Sequence, residues 1–172
     1  PIERQLWMPP WAELSILHLL LLAGGDRFAN LVQWTCMFVA LAAGSLTAKR
    51  LGAGRGGQIF AAVFGVTIPM GVLQATSTQT DYATALWVMI LVYFSVKAQA
   101  RPLSWIEWLA ASGAVGLGML TKGSFYAFAS PFLLWLLVST LRQAGWRTAV
   151  KAAALCMGII LGLNSGVWVR NL

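Results

Sequence analysis

The chain has 172 residues, of which 10% are charged and 59% are hydrophobic, with a formal net charge of +7. A water-soluble domain carries roughly a quarter of its residues as charges, and could not cover this much apolar surface; a bilayer as solvent removes the difficulty. The positive balance does not indicate nucleic acid, because the basic residues fall in short clusters between long apolar runs rather than along one face, which is the pattern that membrane orientation requires.

The chain opens on Pro1-Ile2-Glu3-Arg4 with neither an initiator Met nor a signal-peptide pattern and stops at Arg170-Asn171-Leu172, which reads as an internal fragment of a longer protein. The first apolar stretch, Trp11 to Ala23, would extend only ~20 Å as a helix, too short for the hydrocarbon core. Trp11, Leu14, Leu17 and Leu21 recur at helical spacing, and Glu13, Ser15 and His18 interrupt them. This is read as a helix lying at the membrane surface, with a re-entrant segment as the alternative.

Six longer segments follow, roughly Phe28 to Ala48, Gln58 to Ala75, Thr80 to Val96, Trp105 to Leu120, Ser124 to Leu141 and Ala149 to Trp168. A spanning helix needs about 20 predominantly apolar residues, and a backbone in lipid must satisfy its own hydrogen bonds, so helices are the assignment. Pro69 and Pro131 are expected to kink the second and fifth. Ala110, Ala114 and Gly118 place small residues every four positions, which permits close helix approach in lipid. Cys36 and Cys156 lie inside apolar runs and read as small hydrophobes, not as a disulfide framework.

The loops set the orientation. Lys49, Arg50 and Arg55 lie between the first and second segments, Lys97 and Arg101 between the third and fourth, and Arg142, Arg147 and Lys151 between the fifth and sixth. These are alternate loops, so they share one side, which the positive-inside rule makes cytoplasmic. Trp105, Trp108 and Trp146 fall near that boundary, as interfacial anchors should. The expected fold is therefore all-α: one domain over residues 1–172, a polytopic transmembrane helical bundle of about six spanning helices plus one short non-cytoplasmic interfacial helix. Its setting is the lipid bilayer of a bacterial inner membrane.

Polar residues on the opposite side are the candidates for chemistry. Gln74-Ala75-Thr76-Ser77-Thr78-Gln79-Thr80-Asp81 is richer in hydrogen-bonding side chains than a tight hairpin needs. Thr78 and Asp81 have a capping-box-like spacing, and a helix dipole favours an acid there, so Asp81 reads either as a cap or as the wall of a site. Lys122, in Leu120-Thr121-Lys122-Gly123, reads either as a snorkelling lysine at a helix end or as a contact to an anionic group. Arg170 is either an interfacial anchor or a phosphate ligand. Asp26 and Arg27 read as a helix start, and Glu13 carries no local motif. Gly52-Ala53-Gly54-Arg55-Gly56-Gly57 follows no strand and is not a nucleotide loop. His18, the only histidine, has no paired nucleophile and reads as an interfacial or packed side chain.

Pro9-Pro10-Trp11-Ala12-Glu13 and Gly24-Gly25-Asp26-Arg27-Phe28-Ala29-Asn30 resemble the segment after the first outer loop in bacterial relatives of the protein O-mannosyltransferases. The Gln74 to Asp81 run is similar to their "QASSTQND" element, and Gly118-Met119-Leu120-Thr121-Lys122-Gly123 to their "LTKG" turn. The lipid A aminoarabinose transferases belong to the same GT-C class of integral-membrane glycosyltransferases. The resemblance implies a polyprenyl-phosphate-linked sugar donor bound at the outer membrane face, with Lys122 and Arg170 contacting the carrier phosphate and Gln79 and Asp81 lining the cavity. It also implies a general base in the first outer loop, which would lie before Pro1, so the catalytic acid is expected upstream and no residue here is assigned to it.

Such a mechanism needs no metal and no cofactor, and the sequence holds no carboxylate cluster for one. The sugar and the acceptor, whether protein, lipid or polysaccharide, are not legible. Two rival readings remain: a transporter or flippase of an anionic lipid or lipid-linked sugar, and an assembly subunit in which these charges are only caps and anchors. A transporter should show charges near the midplane or repeated halves, whereas most ionisable residues here fall at the ends of apolar runs.

Overall fold

The computed structural model describes residues 8–171, and every regular element among them is helical. The helices are α1 (Trp11–Ala23), α2 (Leu31–Arg50), α3 (Arg55–Val66), α4 (Pro69–Ala75), α5 (Asp81–Ala100), α6 (Trp105–Met119) and α7 (Ser124–Arg170), with a 3-10 turn at Asp26–Phe28 before α2. Large apolar side chains such as Leu22, Phe60, Phe64 and Ile106 face outward. An outer surface this apolar is the arrangement for a chain whose solvent is lipid.

The number of spans is lower than the six expected from hydropathy. Among the described residues three helical stretches are long and apolar enough to cross a membrane, Asp26–Arg50, Asp81–Ala100 and Ser124–Arg170, and a fourth crossing results if α3 and α4 count as one broken span. The reasons are local. Pro69 lacks an N–H and opens α4 at its first turn, so the second segment is broken and bent by 69°. The 15 residues of α6 give only ~22 Å.

The expected fifth and sixth segments are the two limbs of α7, a run of 47 residues interrupted by a sharp break. A straight helix of that length would reach about 70 Å, more than twice the hydrocarbon thickness. Its backbone breaks not at Pro131 but at Gly145, with φ 77° and ψ 171°, a region open essentially to glycine alone. The two limbs, 124–144 and 146–170, fold back on each other. Leu133 and Ile160 line one apolar cavity of about 240 Å³ together with Trp108 of α6, and Leu136 and Ala152 share one core cluster.

Packing is tightest where small residues admit a neighbour. A Cβ on Gly118 would collide with the Phe125 ring, and one on Gly116 with Leu163. Ala114 and Gly118 are buried as the small-residue stripe requires, but Ala110 is exposed, and the packed face instead includes Ala111 and Val115. Trp105 and Trp146 are exposed, as interfacial anchors are, whereas Trp108 is 8% exposed and belongs to the core. Two buried polar side chains bond across helices. Asn164 Nδ2 donates to the Gly116 carbonyl at 3.1 Å, and Ser95 Oγ donates to the Phe132 carbonyl at 3.1 Å. In lipid such bonds hold helices in register because the broken state has no water to turn to.

The basic loops gather at one end. Arg50 and Lys97 both lie against the Tyr93 ring, and Glu107 pairs with Lys97 at 2.5 Å and with Arg101 at 2.6 Å. Gln143 Nε2 donates to the Ala98 and Gln99 carbonyls. Ser104 and Glu107 form a reciprocal capping box that starts α6, and the Glu107 hydrogen bond raises the Arg101 guanidinium above its ordinary pKa.

Candidate functional site

The opposite end is assembled around the turn from α6 to α7. Thr121 is 2% exposed. Its Oγ1 donates to the Leu117 carbonyl at 2.6 Å and accepts from Trp87 Nε1 at 3.1 Å. The Leu120 carbonyl accepts from Trp11 N at 3.0 Å, which pins the start of α1, and the Trp11 and Trp87 rings meet edge to face at 5.2 Å. These contacts leave the Lys122 side chain pointing away from a rigid turn.

The turn from α4 to α5 is built from its own hydroxyls. Thr76 Oγ1 donates to Val72 and Leu73 carbonyls, Ser77 Oγ donates to the Gln74 carbonyl, and Gln79 N donates to Ser77 Oγ. Asn30 Nδ2 donates to the Thr76 carbonyl at 2.9 Å, tying the turn to the start of α2. Gln33, fully buried, accepts from Ala83 N at 3.2 Å and occupies one of the unpaired amides of the first turn of α5. No side chain caps α5 at its N-cap, Thr80, so the capping-box reading of Thr78 and Asp81 does not hold. Nor does a side chain cap the helix start near Asp26 and Arg27.

Asp81 turns instead to Lys122. Its Oδ1 lies 2.6 Å from Lys122 Nζ, and both side chains are about two-fifths exposed, at 40% and 41%. Asp81 also opens a cleft of about 300 Å³ between α5 and the first limb of α7. Thr84 and Ser124 share its polar mouth, and Ala85, Val88, Met89 and Phe128 form the apolar part below. The two helices run in the same direction here, since Asp81 meets Lys122 at one end and Gln99 meets Ser139 near the other. The groove therefore descends from an ion pair into an apolar channel over ~12 Å, the rise from residue 81 to 89.

The residues singled out in the sequence are thus only partly brought together. Lys122 and Asp81 are in direct contact. Gln79 is exposed in the adjoining turn and does not line the cleft. Arg170 reaches the same end of the molecule but not the cleft: Nη2 donates to the Met8 carbonyl at 3.2 Å and Nε to Asn171 Oδ1 at 3.3 Å. The residues that sequence reasoning passed over are Asn30, Gln33, Trp87 and Thr121. Their signal was present, because Gln33 interrupts an apolar run and a buried amide in lipid is costly unless partnered.

Chemically, the cleft offers one cation, an exchangeable carboxylate partner and an apolar trough. A half-exposed ion pair contributes at most about 1 kcal/mol, so an incoming anion can take the place of Asp81 on Lys122 at low cost. Among the described residues no group of three or more His, Cys, Asp or Glu side chains is placed to hold a metal ion.

Comparison with curated proteins and with solved structures finds no match. The dolichyl-phosphate-mannose-protein mannosyltransferase family matches residues 8–168, a span that takes in α1, the Asp81 and Lys122 turns and both limbs of α7. With nearly the whole chain covered, this integral membrane protein belongs to the dolichyl-phosphate-mannose-protein mannosyltransferase family of GT-C-type glycosyltransferases.

Proposed function

We propose that the chain forms the donor-binding part of a glycosyltransferase that moves sugar from a polyprenyl-phosphate carrier to an acceptor at the non-cytoplasmic face of the membrane. The observation that carries this reading is the Lys122–Asp81 pair at the head of a groove that is polar at its mouth and apolar below. A polyprenyl phosphate has the same division: an anionic head and a hydrocarbon tail that reaches the site from within the bilayer. The basic loops at the far end set the sidedness, because positive loops stay in the cytoplasm and leave the Lys122 end outside.

In the transfer the acceptor oxygen forms a bond to the anomeric carbon while the bond from that carbon to the phosphate oxygen breaks. The acceptor proton passes to a base, and the electron pair leaves with the carrier phosphate. Negative charge therefore grows on the phosphate, where the Lys122 ammonium stabilises it more in the transition state than in the ground state. Asp81 holds Lys122 in place until the phosphate displaces it. Arg170 stands at the same end outside the cleft and would meet the phosphate only by leaving the Met8 carbonyl. The general base is assigned to no residue of this segment.

A flippase would use the same cation to carry its cargo. Against that reading, the ion pairs lie at helix ends, and the buried polar groups among the described residues, such as Gln33, Ser95 and Asn164, are uncharged. The whole protein in proteoliposomes, given a sugar-labelled polyprenyl phosphate and a membrane extract as acceptor source, is expected to release free carrier phosphate as label appears on the acceptor. Movement of intact donor across the bilayer with no release would carry the flippase reading instead.

A further inference from the structure

We propose that the basic end carries a second lipid site, one for the phosphate of an anionic phospholipid, formed by Arg50, Lys97 and Arg101 around Tyr93. Three elements converge there. Arg50 ends α2, Tyr93 and Lys97 stand one turn apart on α5, and Arg101 begins the loop into α6. The Arg50 guanidinium lies 5.9 Å and the Lys97 ammonium 5.4 Å from the centre of the Tyr93 ring. Both cations therefore converge on one aromatic ring, which orders them without neutralising either.

The charge does not balance. Among the described residues Glu107 is the one carboxylate in the cluster, and it is shared by Lys97 at 2.5 Å and by Arg101, which grips it with two nitrogens at 3.0 and 2.6 Å. Glu107 is also committed to the Ser104 capping box. Among the described residues Arg50 pairs with no carboxylate. Three cations against one anion leave an excess of two positive charges at a place where Lys97 is only 12% exposed. A phosphodiester brings one negative charge and several acceptor oxygens, which guanidinium and ammonium groups bind with charge-assisted hydrogen bonds.

The surroundings favour a lipid over a soluble anion. Leu46 lies one turn before Arg50 on the same helix face and is exposed, as is Leu51 beyond it. On α6, Trp105 and Ile106 are likewise exposed. The cations thus sit over an apolar outer surface, with the order of polar head and acyl chain that a phospholipid has. This site stands on different residues, at the opposite end from Lys122, and does not depend on the donor reading.

Native mass spectrometry of the purified whole protein, titrated with phosphatidylglycerol in detergent, tests it. Arg50→Gln is expected to raise the dissociation constant about tenfold, the loss of one charge-assisted contact, and Arg50→Lys to restore most of the affinity. Arg147→Gln, at the neighbouring hinge where the guanidinium rests on Trp146, is expected to leave binding unchanged. Unchanged affinity in Arg50→Gln would overturn the proposal. An equal loss in Arg147→Gln would also overturn it, because the attraction would then be bulk charge. Equal binding of soluble glycerol phosphate would do the same, since the apolar surface would then play no part.

Discussion

Lys122→Ala in the whole protein is expected to lower sugar transfer from the lipid-linked donor by about 10²-fold, the usual consequence of removing one preorganised group from a charge that develops in the transition state. The side chain is two-fifths exposed and its turn is held by Thr121, Trp11 and Trp87, so the fold should survive the change. A purely structural role makes a different forecast. If the ion pair mattered only as a clasp between α5 and the α6–α7 turn, Asp81→Asn would cost as much as Lys122→Ala. On the present account Asp81→Asn frees the ammonium and tightens donor binding, while Lys122→Arg keeps the charge and part of the activity. Donor affinity and turnover measured separately for the three variants decide between the two, and equal losses in the Asp81 and Lys122 variants would remove the role given to the lysine.

Gly145→Val is expected to destabilise the protein by ~1–3 kcal/mol, read as a lower melting temperature in detergent. At φ 77° and ψ 171° a β-branched side chain meets its own backbone, and relaxing that clash swings the second limb of α7 away from α6. Asn164 would then lose the Gly116 carbonyl and Leu163 its seat on Gly116. Nothing lies within 4 Å of a Cβ built at Gly145, so Gly145→Ala, which adds that atom alone, is expected to show a smaller loss of the same sign that reports backbone strain rather than crowding. An unchanged melting temperature would mean that the two limbs reverse without needing this conformation.

Hydropathy made the bundle legible because it reads depth: a run such as Leu31–Arg50 declares itself apolar whichever way it is turned. Rotation about the helix axis is a different quantity, and the near-uniform apolar composition that identifies α6 hides which face packs. Trp108 was therefore placed at the interface when it is in the core, and Ala110 in the packed stripe when it faces out. The number of crossings was misread where backbone geometry departs from composition. Pro69 was visible as a breaker, and the basic stretch from Arg142 to Lys151 marked the turn where α7 reverses, but nothing local singles out Gly145 among the 17 glycines as the residue with positive φ.

At the site, the sequence placed Asp81 and Lys122 at one cavity but gave no sign that they touch. Their contact spans 41 positions of sequence and arises only when α5 and α7 pack in parallel. The capping box at Ser104 and Glu107 was readable as Ser-x-x-Glu, the same rule that was applied instead to Thr78 and Asp81. It works at Ser104 because Ser104 is the N-cap and Glu107 the third residue of α6, and fails at Thr78 because the N-cap of α5 is Thr80 and Asp81 is its first residue.

A carrier phosphate seated at the head of the α5–α7 groove would lie within reach of crosslinking chemistry. A polyprenyl phosphate carrying a photoreactive group near its phosphate, irradiated with the whole protein in membranes, should label residues 81–89 and 121–128. Labelling should fall when unmodified carrier is in excess and be lost in Lys122→Ala. Label confined to the Arg50 and Arg142 end, or spread over outward-facing side chains and indifferent to competing carrier, would contradict that placement.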